Sequence, residues 1–214
     1  NVGFVHEDTE NATGTAYVTA AFGKNAIVVV PSANSSLATQ NIDMAEKIFS
    51  TVDLVLTQLE IPMEVVENVY QKCKKYGKKL GIYASPAAKI SPEILEYATF
   101  IIAKSNELSI IFDEESREQT LRKYPNKLFV RDDTNSTIYY NGSEMKYYRN
   151  DPEEMPNKMG MGDAFTSGFA IAYCHGNIID DCVKFGNDVS LKVSKKRGSQ
   201  SGLPYLKEFN LSEK

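Results

Sequence analysis

Lys158-Met159-Gly160-Met161-Gly162-Asp163-Ala164-Phe165, continued by Thr166-Ser167-Gly168-Phe169-Ala170, is the stretch on which the reading of this chain turns. Small residues stand immediately before an acid. The acid stands immediately before an apolar pattern of helical spacing, Phe165, Phe169 and Ala172. A Gly-x-Gly turn lets backbone amides approach a ligand with no Cβ in the way. The free N–H groups of the helix that follows point back at that turn and favour an anion. One carboxylate there, Asp163, can take the proton of a hydroxyl attacking a phosphate, which is the layout phosphoryl transfer needs. The competing reading makes the segment an ordinary loop with Asp163 as a helix N-cap.

Upstream of this turn the chain alternates between strand-like and helix-like segments. Thr15 to Ala20 alternates, Gly23-Lys24-Asn25 reads as a turn, and Ala26 to Val30 as a second strand. Asp43 to Phe49 predicts a short helix, and Leu54-Val55-Leu56 a buried parallel strand. Pro62 opens a helix with Val65, Val66, Val69 and Cys73 on one face, closed by Gly77. Leu80 to Tyr83, Phe100 to Ala103 and Lys127 to Val130 read as strands, with helices over 92–97 and 114–124 between them. Thr137 to Tyr140 and Met145 to Tyr148 flank Asn141-Gly142, a hairpin signal. Helices over 163–174 and 179–194 close the pattern. It predicts an α/β sheet with helices on both faces. Ligands of such sheets lie at the carboxyl ends of the strands, where the turn before Asp163 would fall.

The 214 residues can bury a substantial core, and one domain is the default. A net charge of -4 argues against a general nucleic-acid binder, and the cluster Lys72-Lys74-Lys75-Lys78-Lys79 reads as a solvated helix face. Three cysteines, Cys73, Cys174 and Cys182, form no C-x-x-C pair and predict reduced thiols in a cytoplasmic protein. The two histidines, His6 and His175, are far apart, so no His-based metal motif is visible. No run reaches membrane-spanning length, so neither nucleic acid nor membrane is an expected partner.

The Gly160–Phe165 stretch resembles the G-A-G-D-[AT]-F signature of ribokinase-like carbohydrate kinases, with Met161 in place of the usual Ala. Other segments are similar to the same family in the same order. Pro31-Ser32-Ala33-Asn34-Ser35-Ser36-Leu37 resembles P-G-A-N-x-x-L, Gln58-Leu59-Glu60-Ile61-Pro62 resembles Q-L-E-x-P, and Ser85-Pro86-Ala87 the end of N-P-A-P-A. Lys184-Phe185-Gly186-Asn187 and Arg197 to Pro204 resemble the C-terminal F-A-N and K-G-A-Q-x-S-x-P segments. The resemblance runs from about Thr13 onward. It implies a three-layer sandwich with a mostly parallel central sheet, helices on both faces and part of a β lid. Residues 1–30 would form lid and edge strands, and 31–214 the core. The family's N-terminal third, with part of the sugar site, would precede Asn1. The chain is therefore expected to be a fragment, poor at phosphorylating ribose alone, with an exposed sheet edge that a partner chain such as a second copy would cover.

The resemblance also implies an ATP-dependent kinase acting on a small-molecule sugar with magnesium. Asp163 would be the general base, and the amides of Gly160, Met161 and Gly162 the anion hole. Glu60 would contact the sugar; otherwise it is a strand-end surface carboxylate. The family's N-x-x-E motif falls on Ser105, Asn106, Glu107 and Leu108, so Ser105 would lie on the nucleotide side, and Glu107, a carboxylate one place early, would serve magnesium weakly together with Ser105. The nucleotide-side T-x-G-x-x-G falls on Arg131, Asp133 and Ser136. Both glycines are gone, and Asp132-Asp133 puts negative charge where phosphates would pass. Asn187 would lie near the adenine, or else on the outside of the last helix. The monovalent-cation carboxylate of many relatives falls on Asn157, with carbonyls from Met159, Val193 and Lys196. Asn157 offers an oxygen but no charge, so potassium is expected not to matter. Two further readings compete: a degenerate relative that binds sugar or nucleotide without catalysis, favoured by the lost glycines, and a dinucleotide-binding dehydrogenase, disfavoured because no G-x-G-x-x-G follows an early strand.

Overall fold

Strands β3 (Leu54–Gln58), β4 (Lys79–Tyr83), β5 (Phe100–Lys104) and β6 (Leu128–Arg131) lie parallel. Strands β7 (Thr137–Tyr140) and β8 (Met145–Tyr148) add antiparallel to β6, giving one six-stranded sheet in sequential order. This is a computed structural model; it describes residues 2–21, 24–113, 116–150, 155 and 157–209.

Alternation along the central strands divides the core in two. Ile101, Ala103, Leu128, Val130 and Ile138 face one side. There they pack with α2 (Met63–Tyr76), α3 (Pro92–Tyr97), α4 (Leu108–Ile111) and α5 (Arg117–Lys123). Phe100, Ile102, Phe129 and Tyr139 face the other side, against α6 (Met161–Cys174) and α7 (Ile179–Ser194). Both faces of β5 and β6 are covered, which is why those strands read as unbroken apolar runs. The helices start and stop where the chemistry of their ends predicts. Pro62 precedes α2 and Gly77 ends it in the left-handed region at φ 61°. The Ser91 side chain accepts the Ile94 N–H at the start of α3, and Ser116 with Gln119 forms a capping box on α5.

Several expectations shift. The helix foreseen over 43–49 is instead α1 (Thr39–Met44) followed by a separate 3-10 turn, Glu46–Ser50. Lys72 is not simply solvated: its Nζ lies 2.8 Å from both Asp43 and Glu46, clipping this segment onto α2. α4 is unforeseen, and α5 is shorter than 114–124, whose first two residues lie outside the described ones. The 141–144 loop is a four-residue connection, because Tyr140 pairs with Met145 and the Asn141 side chain accepts the Ser143 and Glu144 N–H groups. Among the described residues β3 pairs only with β4 and is half-buried, with Leu56 43% exposed, so it is an edge strand there and not the buried one expected.

The first 30 residues end in an antiparallel ribbon, β1 (Thr15–Ala21) with β2 (Lys24–Val30). Lys24 and Asn25 pair with Ala21 and Ala20, so they are strand and not the turn expected of them, and Gly23 lies outside the described residues. Among the described residues no helix is long and apolar enough to cross a membrane.

Candidate active site

The carboxyl ends of β4, β5 and β6 deliver Tyr83, Lys104 and Arg131 to one place, and the N-terminus of α6 meets them there. A cleft of about 490 Å³ opens between them, lined also by Asp133, Lys158, Gly160, Gly162 and Asp163. Ile27 of β2 lines it from above, so the ribbon lies over the cleft. Tyr83, Lys104, Lys158 and Ile27 were missed in the sequence reading. Tyr83 and Lys104 end strands on the ligand-binding side of the sheet, a signal that could have found them.

Gly160 is the N-cap of α6, in the left-handed region at φ 75°. A Cβ on it would lie 2.7 Å from the Ser199 carbonyl oxygen, so glycine is required twice over. A Cβ on Gly162 would collide with the Tyr83 hydroxyl. The Met161 N–H makes a long contact of 3.5 Å with the Lys158 carbonyl. Among the described residues the N–H groups of Gly162 and Asp163 meet no acceptor. Asp163 stands exposed in the first turn of α6, where its carboxylate makes no capping hydrogen bond. The reading of Asp163 as an N-cap is therefore wrong: that position is Gly160, and the carboxylate is left for other work.

Beneath this turn lies Arg131, 4% exposed. Its Nη1 donates to the Met161 carbonyl at 2.9 Å, and its Nη2 donates to the Asn135 carbonyl at 3.1 Å and Ser190 Oγ at 3.2 Å. Ser190 Oγ donates to the same Met161 oxygen at 2.9 Å. The guanidinium lies 4.4 Å from the centre of the Phe165 ring. Burial pushes its pKa down to about 10, which leaves it charged at neutral pH.

The loop after β6 is closed by its own side chain. Asp132 Oδ1 accepts the Thr134 N–H at 2.9 Å, the Thr134 hydroxyl at 2.7 Å and the Ser136 N–H at 3.0 Å. Asp133 lines the cleft, where its carbonyl accepts Lys158 Nζ at 2.7 Å. The acidic pair therefore does not stand alone, since Lys104, Arg131 and Lys158 line the same cleft.

The remaining predicted residues are placed differently. Asn187 is fully buried, which fits neither the adenine contact nor the outer helix face. It donates to the Val183 carbonyl at 2.8 Å and accepts from Asn150 Nδ2 at 3.0 Å. Ser105 Oγ accepts from Arg117 at 3.4 Å, and its neighbours Lys104 and Asn106 line the cleft in its stead. Glu60 is exposed just past β3 and does not line the cleft. Glu107 Oε1 accepts from Ser85 Oγ at 3.3 Å and lies 3.5 Å from Lys104 Nζ, while its Oε2 is buried with no partner. One carboxylate oxygen left free fits a magnesium ion held largely by water and phosphate. No cluster of three or more acidic, histidine or cysteine side chains that could hold a metal exists among the described residues. Asn157 does not fit a monovalent cation. Its Nδ2 donates to the Lys196 and Gly198 carbonyls at 2.8 and 2.9 Å, and its Oδ1 accepts the Met159 N–H at 3.2 Å. The amide thus takes up carbonyl oxygens that an ion would need.

A profile described as pfkB family carbohydrate kinase matches residues 1–206. The chain belongs to the pfkB family of carbohydrate kinases. It is 32% identical over 200 residues to the ribokinase of Bacillus subtilis, covering 94% of this chain and 68% of that protein. It is 28% identical over 209 residues to the ribokinase of Lactococcus lactis, covering 97% and 68%. Among solved structures it resembles the ribokinase of Thermotoga maritima, with a TM-score of 0.77, 24% identity, and 92% and 68% of the two chains covered. It also resembles the Arabidopsis thaliana ribokinase complexed with ribose and ATP, with a TM-score of 0.78, 23% identity, and 91% and 67% covered. These likenesses establish the ribokinase-like α/β fold.

Proposed function

We propose that this pfkB family chain transfers the γ-phosphate of ATP to a hydroxyl of a small sugar. The observation that carries this reading is the free Asp163 carboxylate beside the unpaired N–H groups of Gly162 and Asp163. The carboxylate takes the proton as the sugar oxygen attacks in line. The N–H groups at the start of α6, Gly160, Met161 and Gly162 among them, hold the charge of the transferring phosphoryl group. Lys104 and Lys158 add positive charge at the cleft walls. Glu107 is the residue to hold magnesium, which when bound neutralises phosphate charge. Support for ribose and ATP as ligand classes comes from the Arabidopsis relative.

Two corollaries follow from the ribbon and from Asn157. Directly opposed residues of the ribbon share a face, so Ile27 and Val18 form the row toward the cleft. Tyr17 and Val28 form the opposite row, which a second copy of the chain would cover. The amide clamp at Asn157 makes potassium unnecessary.

One observation favours a relative that binds without catalysis: Asp132 uses two N–H groups that a nucleotide phosphate could otherwise take. A single experiment separates the readings. The full encoded chain is incubated with Mg-ATP and a panel of pentoses and hexoses, and products are weighed by mass spectrometry. Gain of one phosphate by a sugar is expected. Saturable ATP binding with no sugar phosphorylated would leave the binding-only relative.

A further inference from the structure

A buried guanidinium normally lies against a carboxylate, because an unpaired charge away from water is costly. Arg131 is buried to 4% exposure and makes no ion pair among the described residues. Its partners are two carbonyls, a hydroxyl and the face of Phe165, all neutral, and its Nε is buried with no acceptor. Asp132, the next residue, turns Oδ1 to Thr134 and Ser136. Yet Arg131 lines the cleft that holds Asp163. The charge feels the neighbouring Asp132 carboxylate through space but has no carboxylate in direct contact, in a place where an anion can enter.

The Met161 carbonyl that Arg131 engages belongs to the same peptide unit as the Gly162 N–H. Besides its place in the helical ladder, that oxygen accepts from Arg131 at 2.9 Å and from Ser190 at 2.9 Å. Drawing electron density to the carbonyl oxygen makes the N–H at the other end of the peptide a stronger donor. The Gly162 N–H meets no acceptor among the described residues. We propose that Arg131 is the resident counter-charge of the phosphoryl site, acting through the Met161–Gly162 peptide to strengthen the Gly162 N–H toward a phosphate anion. It is a positioning residue, since it reaches the anion through that peptide. The role rests on the phosphoryl-transfer reading of the cleft.

The test is calorimetric titration with inorganic pyrophosphate at constant ionic strength, on the full encoded chain. Arg131→Met, which keeps bulk and removes charge, should bind roughly tenfold more weakly. Arg131→Lys, which keeps charge, should stay near the parent. Parent-like affinity in a folded Arg131→Met overturns the proposal, as does an equal loss in Arg131→Lys, or no binding by the parent. Should Arg131→Met not fold, the parent decides. The Arg131 Nε–H resonance is expected to move as pyrophosphate saturates the site, and a stationary resonance overturns the proposal. Loss of pyrophosphate binding in Arg131→Met together with no sugar phosphorylation by the parent keeps this inference and removes the kinase reading. Sugar phosphorylation by the parent with unchanged pyrophosphate affinity in Arg131→Met does the reverse.

Discussion

Two loops line the cleft, one after β6 and one at the start of α6, and they treat their backbone N–H groups in opposite ways. The turn at Gly160–Gly162 carries no side chain that could cap it, so the N–H groups of Gly162 and Asp163 are left open toward the cleft. The loop after β6 holds Asp132, whose carboxylate takes the N–H groups of Thr134 and Ser136 for itself. On the function proposed above, the first loop would receive an anion from outside, whereas the second carries its anion within. An anion site is therefore set by which amides lack an internal acceptor, and the sign of nearby side chains is a weaker guide.

The largest effect expected from this contrast is at Asp163. Asp163→Asn keeps the shape and removes the base, so kcat of the full encoded chain should fall on the order of 10²–10⁴-fold with little change in KM. A change confined to KM would make Asp163 a binding residue and erase the distinction between the loops as chemistry. A smaller effect sharpens the other side. Asp132→Ala releases two N–H groups and removes a negative charge, so the KM for ATP should fall about threefold at constant kcat. A rise in that KM would show that the closed loop serves the nucleotide as it stands. The smallest effect concerns the support of the open turn. With Asn157 clamping the Lys196 and Gly198 carbonyls, exchanging potassium for a large organic cation at equal ionic strength should change the rate by less than about twofold. Asn157→Asp, which replaces the donor by a charge, should introduce potassium dependence. Several-fold activation of the parent by potassium would contradict the clamp.

The parts of the fold that could be read in advance share one property: local pattern and final environment agree. β5 and β6 are apolar without interruption because both faces are covered, and Gly77 ends α2 where a left-handed residue is needed. β3 has the same local pattern but only one paired edge, and pattern does not report neighbours. α4 is a single turn whose N-cap residue, Glu107, makes no capping hydrogen bond, so nothing local announces it. Within the site, the turn and Asp163 were legible because glycine, acid and helix onset are adjacent in sequence. Arg131 was assigned to the nucleotide, but its partners Met161 and Ser190 lie 30 and 59 residues away. Asn187 is misplaced for the same reason: it is buried with partners that include Asn150, 37 residues off, and Thr137, 50 residues off. The closing of the loop by Asp132 was open to a local reading, since aspartate bonding to N–H groups two and four residues on is a common turn device.

The contrast between the two loops is tested most directly by following backbone amide resonances of the isotopically labelled protein during titration with Mg-ADP. The account predicts that Gly162 and Asp163 shift toward lower field and saturate together, while Thr134 and Ser136 stay with their Asp132 acceptor and hardly move. Large shifts at Thr134 and Ser136 with Gly162 and Asp163 unmoved would contradict it, placing the phosphate on the wrong loop.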